Sequence, residues 1–588
     1  MPSLFDSLGP AFRAPDVSAA LESLAAESEV ERGAVFTRPE VAAAILDLCG
    51  YTADRALPRL RLLEPSFGGG DFLLLAVQRL LQSWRREGGT PASALADLRE
   101  TVRAVELHRG SVDAVSARLL PLLCDAGIAR ADAEALCAAW LVCDDFLLTS
   151  LPGEFDVVVG NPPYVRQERI PAPLLAEYRQ RYRTLFDRAD LYVPFYERAL
   201  DLLAPGGRLG FICANRWVKN RYGGPLRAKI SGGFALLHYI DMENVDAFHT
   251  EVIAYPAITV IERPRAAKMR AAPTRVATAD ALQQHGLARV AQSLLADAVA
   301  SGVDEVDLAQ GGEAPWLLDD VPRLRLLRRL ESQFPALEDA GCKVGIGVAT
   351  GCDRVFIDDL EALPVEPERK LPLAMARDLV DGRIDWRGRG VLNPFEADGT
   401  LADLERYPRF AAYLYKHYEA VAGRHVATRS GEGWYRTIGR IYPELVRQPK
   451  LLVPDIKGEA VFVLDEGHYY PHHNLYFITS REWDLRALRC VMRSSLSVMI
   501  VATYCTRMAG GFLRFQAQYL RRLRLPQWKH VPDALRARLQ AAADEAKPDA
   551  LDAPVFELFG LSADEGRLVR RIAEEAQVTG RAKRKAAA

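Results

Sequence analysis

The sequence predicts an α/β chain: a doubly wound parallel sheet over residues 31–263, then a mixed α+β domain. Three observations carry this. Short apolar strands alternate with amphipathic helices up to about residue 263. A glycine-rich turn, Gly68-Gly69-Gly70, joins one of those strands to a helix, and open α/β sheets bind ligands at such turns. The alternation stops after Glu262, and the chain that follows is irregular, aromatic and locally basic. At 588 residues the chain is too long for one ordinary core, so two or three domains are expected.

Residues 1–30 read as an arm with one short helix. Leu60-Arg61-Leu62-Leu63-Glu64 is the first strong strand, and Asp71 to Trp84 is the helix after it. Thr101 to Glu106 is a strand, Ser111 to Leu123 and Ala131 to Ala139 are helices, and Leu141-Val142-Cys143 and Asp156 to Val159 are strands. Tyr192 to Leu203 is a helix that Pro205-Gly206-Gly207 should stop, and Arg208 to Ala214 and Ala257 to Glu262 are strands. Residues 264–320, rich in Ala, Arg and Pro and then helical, read as a linker. Residues 321–530 form the second domain. Residues 531–588 are helical and end in a basic tail, Gly580-Arg581-Ala582-Lys583-Arg584-Lys585, expected to be disordered.

Composition excludes several classes. The net charge of −2 means that any nucleic-acid contact must come from local patches. The nine cysteines contain no C-x-x-C pair and no zinc-ligand spacing, so no metal is expected, and the His472-His473 pair reads as polar surface or groove residues. No signal-peptide pattern and no membrane-length apolar run occurs. A cytoplasmic protein without membrane contact is expected.

The chemistry concentrates at Asn161-Pro162-Pro163-Tyr164, directly after the apolar strand that ends at Gly160. Asn161 offers a side-chain carbonyl as acceptor, Pro162 a backbone carbonyl, Pro163 stiffens the turn, and Tyr164 gives a flat face. Such a turn suits a planar amine. Upstream, the glycines after Glu64-Pro65-Ser66 allow close approach of a ligand to the backbone. Glu106 ends the next strand, a natural place to hold two ribose hydroxyls. Asp145, after the strand 141–143, can accept from an adenine amino group while Phe146 packs on the ring. The turn lacks the G-x-G-x-x-G spacing of a pyrophosphate site. A nucleoside with a positive sulfonium and no phosphate fits these acids better than a nucleotide does.

These motifs resemble the N6-adenine DNA methyltransferases of restriction–modification systems, in the order where target recognition follows catalysis. The resemblance implies a Rossmann-like S-adenosylmethionine-dependent catalytic domain at 31–263 and a DNA target-recognition domain at 321–530. Gly33 to Val41, with Thr37, looks like the family's N-terminal cofactor motif, and Leu63 to Phe72, with Glu64, Pro65, Ser66, Gly68 and Gly70, like its S-adenosyl-L-methionine loop. Glu106 looks like its ribose residue, and Asp145 and Phe146 like its adenine residues. Asn161 to Tyr164 looks like the catalytic motif, with Asn161 near the cofactor as well, and Asp190 to Phe211 like the helix and strand that follow. Phe248 looks like the aromatic that holds the flipped target base against Tyr164, with His249 and Tyr255 as competitors. Gly345 to Gly351 and Gly510 to Phe515 are similar to segments of the family's specificity domain.

In the second half, residues 505–532 contain no acid, and 406–450 is net basic. Arg424, Arg436, Arg440, Arg507, Arg514 and Arg521, interleaved with aromatics, are the expected DNA contacts. The expected partners are double-stranded DNA with a specific short site and a separate restriction endonuclease. The alternatives are a methyltransferase acting on RNA or a protein glutamine, and a non-catalytic DNA-binding subunit of a defence complex.

Overall fold

A computed structural model describes the chain except residues 1–12, 27–34, 152, 244, 250–254, 267–272, 297–301, 308–310, 319–320, 429–432, 456–460, 506–512, 546 and 588, and the side chains of 577–587. The chain divides into two compact units, Met1–Val321 and Pro322–Ala588.

Among the described residues the first unit has nine strands: β1 (Leu62–Glu64), β2 (Val102–Glu106), β3 (Leu141–Cys143), β4 (Phe155–Gly160), β5 (Leu203–Ala214), β6 (Ala235–Asp241), β7 (Pro256–Glu262), β8 (Thr274–Ala277) and β9 (Asp304–Val306). They form one sheet in the order β3-β2-β1-β4-β5-β7-β6-β8-β9. The run β3-β2-β1-β4-β5 is parallel throughout, whereas β7 runs antiparallel to both β5 and β6. The central strands are buried on both faces, which is why β4 reads as Phe-Asp-Val-Val-Val-Gly rather than alternating.

The helix Asp71–Arg86 packs Phe72, Leu73, Ala76, Val77, Leu80, Leu81 and Trp84 into the core, an apolar stripe at helical spacing. Arg85 and Arg86 lie in its last turn, where positive charge suits the helix dipole. Gly70, at φ +83°, makes the sharp entry into this helix.

Two elements differ from expectation. Strand β5 begins at Leu203, before the Pro205-Gly206-Gly207 that was expected to separate helix from strand. Its pairing with β4 slips between Phe155 and Val157, so the three residues act as an irregularity inside the strand. At Gly207 a Cβ would lie 2.8 Å from the carbonyl oxygens of Ala204 and Phe155. Residues 264–320, expected as a linker, carry β8 and β9. Strand β8 pairs parallel with β6, and β9 antiparallel with β8. These strands extend the main sheet.

The second unit contains β10 (Cys342–Ile346), β11 (Ile357–Asp359), β12 (Lys370–Ala374), β13 (Leu379–Val380), β14 (Arg383–Ile384), β15 (Arg389–Leu392), β16 (Lys450–Pro454), β17 (Val463–Asp465), β18 (Tyr470–Pro471) and β19 (Leu475–Ser480). They make two four-stranded sheets, β10-β19-β16-β17 and β11-β15-β12-β18, and a hairpin of β13 and β14. Helices Asp533–Ala542, Pro548–Leu558 and Ala563–Ala587 complete it; the backbone of the basic tail is the end of the last helix. No helix among the described residues is long and apolar enough to cross a membrane.

One buried ion pair staples the β16–β17 edge. Lys450 and Asp465 are both fully buried, with Nζ 2.6 Å from Oδ2. Lys450 also donates to the carbonyls of Leu445 (2.9 Å) and Gln448 (3.0 Å). Asp465 accepts the backbone N–H groups of Gly467, His468 and Tyr469. Removing one partner strands the other charge in the interior. Lys450→Met is expected to destabilise the second unit by about 3–5 kcal/mol, read as a lower midpoint in chemical unfolding followed by tryptophan fluorescence. An unchanged midpoint would show that the pair is not a structural staple.

Candidate active site

The carboxyl ends of β1, β2 and β4 open onto a cleft lined by Val35, Phe36, Thr37, Glu64, Ser66, Phe67, Gly68, Gly69, Asp71, Phe72, Glu106, Asn161 and Pro163. Of the residues singled out from sequence, Thr37, Glu64, Ser66, Gly68, Glu106, Asn161 and Pro163 therefore meet around one space. Pro65, Gly70 and Pro162 support this wall from the same turns without lining it. Phe36, Gly69, Asp71 and Phe72 line it although only their surrounding motifs had been noted. Asp71, an acid in the first turn of a helix after a glycine run, carried a signal that could have found it.

The floor is a set of carboxylates fixed by the backbone. Glu106 accepts from Gly68 N and from His108 N, each at 2.9 Å. It thereby ties the end of β2 to the glycine turn. Asp71 Oδ2 accepts from Thr37 N at 2.8 Å. Glu64 is 1% exposed, and its Oε2 has no hydrogen-bond partner. Burial, with Asp71 and Glu106 close by, pushes its carboxyl well above the usual range.

Asp145 and Phe146 lie at the end of β3, outside the lining of this cavity. Asp145 Oδ2 accepts from the Tyr178 hydroxyl at 2.6 Å, whereas Oδ1 is buried without a partner. Burial raises its carboxyl above the usual value against the pull of that hydrogen bond. Phe146 is buried against Phe195, with ring centroids 5.0 Å apart, and under the Arg198 guanidinium at 5.1 Å. The adjacent Asp144 is held by both guanidinium nitrogens of Arg13, each at 2.7 Å, so the segment before helix Pro15–Ala26 is fastened beside this corner.

At the end of β4, Asn161 is anchored through one end of its amide. Nδ2 donates to Val35 O (2.8 Å) and to Thr37 Oγ1 (3.3 Å), which fixes Oδ1 on the opposite side. That oxygen is buried and has no partner. Ser66 Oγ donates to the Asn161 carbonyl at 3.2 Å. The Tyr164 ring stands edge-on to Phe248, with centroids 6.2 Å apart at 79°, and tilted to Tyr192 at 6.4 Å. Tyr192 had been noted only as part of a helix. Burial holds the Tyr164 phenol far above its usual range, and its hydroxyl has no partner. Phe248 is held by a β-bridge to Thr37 and by Arg38 Nε donating to its carbonyl at 3.1 Å.

In the second unit the expected basic surface resolves into different roles. Arg424 donates to the carbonyls of Val421, Thr350, Trp434 and Arg436, so its guanidinium is an internal tie rather than an open phosphate contact. Arg514 is paired with Asp455. Arg521 is paired with Glu338 at 3.0 Å and also donates to Val344 O. The acids come from sequence-distant segments, which is why the basic stretches had seemed unpaired. Arg440 is exposed and lies 4.8 Å over the Tyr442 ring, and Arg436 is half-buried. Arg507 lies outside the described residues.

The buried, unpartnered oxygen of Glu64 and the acid-rich floor beside a glycine turn suit a ligand with ribose hydroxyls and a positive centre; among the described residues no Lys or Arg lines the cavity. The comparisons with known proteins agree. Residues 125–248 match the model of the Eco57I restriction-modification methylase family. The type II methyltransferase M.XhoI of Xanthomonas vasicola is 53% identical over 544 residues, spanning 92% of this chain and 100% of that protein. M.BstVI of Geobacillus stearothermophilus is 41% identical over 553 residues, spanning 92% and 98%. Among solved structures, the type IIL restriction-modification enzyme MmeI in complex with DNA shares the fold, with a TM-score of 0.53 at 12% identity, covering 95% of this chain and 76% of that one. With S-adenosyl-L-methionine as its cofactor, the chain belongs to the type II methyltransferases of restriction–modification systems.

Proposed function

We propose that the chain methylates the N6 amine of an adenine flipped out of double-stranded DNA at a specific short site, protecting that site from a separate restriction endonuclease. The observation that carries this reading is the Asn161 amide, pinned through Nδ2 and presenting a buried, unpartnered Oδ1 beside a pair of aromatic rings. An exocyclic amine is a weak nucleophile because its lone pair is delocalised into the ring. Asn161 Oδ1 and the Pro162 carbonyl each accept one amine hydrogen, which favours a pyramidal nitrogen with its lone pair free to attack. No side chain has to remove a proton first. Pro162 and Pro163 fix the turn, so the acceptors need no reorganisation during reaction. S-adenosylmethionine, when bound, supplies the methyl group on a positively charged sulfur. Glu106 and Asp71, joined by Glu64 once it ionises, offer it a negative floor; Asp145, beyond the lining of the cavity, is assigned to its adenine by the motif alone. A duplex hides its base edges, so the target must leave the stack; Tyr164 and Phe248 supply the faces that receive it.

Three outcomes test the proposal. Asn161→Ala is expected to lower turnover on the order of 10²–10³-fold, the scale of losing one preorganised polar contact in a transition state, while S-adenosylmethionine binding survives. Modification-aware sequencing of DNA from a methylation-deficient host carrying wild type or this variant reads both the modified base and its sequence context. Near-wild-type methylation by Asn161→Ala would sink the mechanism.

Because the Tyr164 hydroxyl is unpartnered, Tyr164→Phe should bind a duplex with a mispaired target base almost as well as wild type. Tyr164→Ala should lose roughly 1–3 kcal/mol, the worth of one stacked base. Equal losses would assign the role to the hydroxyl instead.

Finally, burial raises the Glu64 carboxyl well above its usual range in the free protein, which favours the neutral form. A positive ligand favours its carboxylate, so cofactor binding should release a proton. Affinity should then rise with pH and level off above the free-protein pKa of Glu64. Calorimetry in buffers of different ionisation enthalpy measures the release, and a binding heat independent of buffer would refute it.

A further inference from the structure

Apart from the cavity, an organised constellation of polar side chains lies in the second unit, where three loops converge. Backbone hydrogen bonds lock them together: Val348 N to Pro471 O at 2.9 Å, His473 N to Val348 O at 3.0 Å, and Gly439 N to Ala349 O at 2.9 Å. Arg424 adds a tie to the Thr350 carbonyl at 2.6 Å. Close approach requires glycine: a Cβ at Gly347 would sit 2.2 Å from His472 O. On this scaffold Asp353 projects a carboxylate whose side chain is 48% exposed. Thr350 Oγ1 holds its Oδ1 at 2.5 Å. His472 holds its Oδ2 from Nε2 at 3.2 Å and is itself buried and anchored through Nδ1 to Asn474 Oδ1 at 2.9 Å. The His473 ring lies against His472, tilted by 54° with ring centroids 4.1 Å apart. Beside them Ile438 is 60% exposed, with Cδ1 3.0 Å from where a Gly351 Cβ would be.

An exposed carboxylate is out of place on a surface built to hold phosphates, which repel it. It suits the major groove, where a cytosine presents its N4 amino hydrogens and a carboxylate is the matching acceptor. An exposed branched apolar side chain beside it suits a thymine methyl, the one apolar feature of that groove. Rigid support fits this task as well, since base readout depends on side chains whose rotamers are already fixed. Phosphate contacts hold a protein in register but carry no sequence information, so the charges of Arg436 and Arg440 cannot by themselves choose a site.

We propose that Asp353, positioned by Thr350 and His472, reads a cytosine amino group of the DNA site and that Ile438 reads a neighbouring thymine methyl. This assignment rests on the duplex-DNA substrate proposed above. It makes these two residues determinants of specificity, distinct from the residues that transfer the methyl group.

The test is the recognition motif itself. Full-length wild type, Asp353→Asn, Ile438→Ala and Asn161→Ala are expressed in a methylation-deficient host, and the modified bases are mapped by sequencing. Wild type should give one short motif. Asp353→Asn should still methylate, with a motif degenerate at one cytosine and the preference for that cytosine narrowed by roughly 10-fold or more, the loss expected of one base-edge contact. Ile438→Ala, an exposed position that does not threaten folding, should relax an adjacent thymine. A motif as stringent as wild type in both variants overturns the assignment. So does complete loss of methylation by both variants while they still bind S-adenosylmethionine, which would make the patch a general contact. The ligand atoms of Asp353, His472 and His473 lie within 4.8 Å of one another, so activity removed by a chelator and restored by zinc would also overturn it, in favour of a metal cluster. An unmodified genome in the wild-type arm overturns the DNA reading together with this inference; the other outcomes overturn this inference alone.

Discussion

The short segment Val35–Arg38 is the tie on which the catalytic corner depends. It accepts both hydrogen bonds of the Asn161 amide, through Val35 O and Thr37 Oγ1. Its Thr37 N–H caps the Asp71 carboxylate at the start of the helix after the glycine turn. It pairs with Phe248 by a β-bridge, and the bridge is flanked by Arg38 N to Ala247 O and His249 N to Phe36 O. Three parts of the site, far apart in sequence, are thus set against one another by a few backbone groups. The orientation of the amide follows from this: with Nδ2 spent on two oxygens, Oδ1 has one direction left. A polar atom buried in that way is costly unless a ligand completes it.

Electrostatics extends the same logic to the floor. Glu64, Asp71 and Glu106 crowd one end of the sheet, and burial raises the carboxyls of Glu64 and Asp71. A cluster of that kind opposes its own ionisation. It becomes favourable when a cation joins it. Under the proposed function, part of the cofactor affinity is charge stabilisation that the free protein leaves unrealised; the glycine turn is fixed to this cluster through Gly68 N–H on Glu106.

Much of the first unit was legible because its signals are local. Apolar runs of β4 type, the helix Asp71–Arg86 and the glycine turn are each written within some fifteen residues. Strands β8 and β9 were not, since three or four residues amid Ala, Arg and Pro carry no readable period, and their pairing with β6 and with each other is decided by tertiary context. Pro205-Gly206-Gly207 looked like a stop and is an irregularity within β5, because β4 on one side and β7 on the other impose the strand. The basic surface misled for a related reason. A window such as 505–532 shows its arginines but not Glu338 or Asp455, which reach Arg521 and Arg514 from segments far along the chain. Likewise His472 and Asp353 are 119 positions apart, and nothing in either neighbourhood announces the other.

The reversed strand β7 has a consequence for how such an enzyme can change. A strand that runs against its neighbours starts at the edge where they finish, so the connection between Asp241 and Pro256, which carries Phe248, arrives at the same rim as Asn161. The cofactor floor comes from β1 and β2, on the other side of β4. The connection through Phe248 is bridged to Thr37, whose N–H holds Asp71 and whose hydroxyl holds Asn161, so a change in its length or sequence is felt at the cavity wall. The polarity switch in the sheet brings the connection that carries Phe248 and the turn that carries Asn161 to one rim, and Val35–Arg38 makes them a single mechanical unit that can change only in concert.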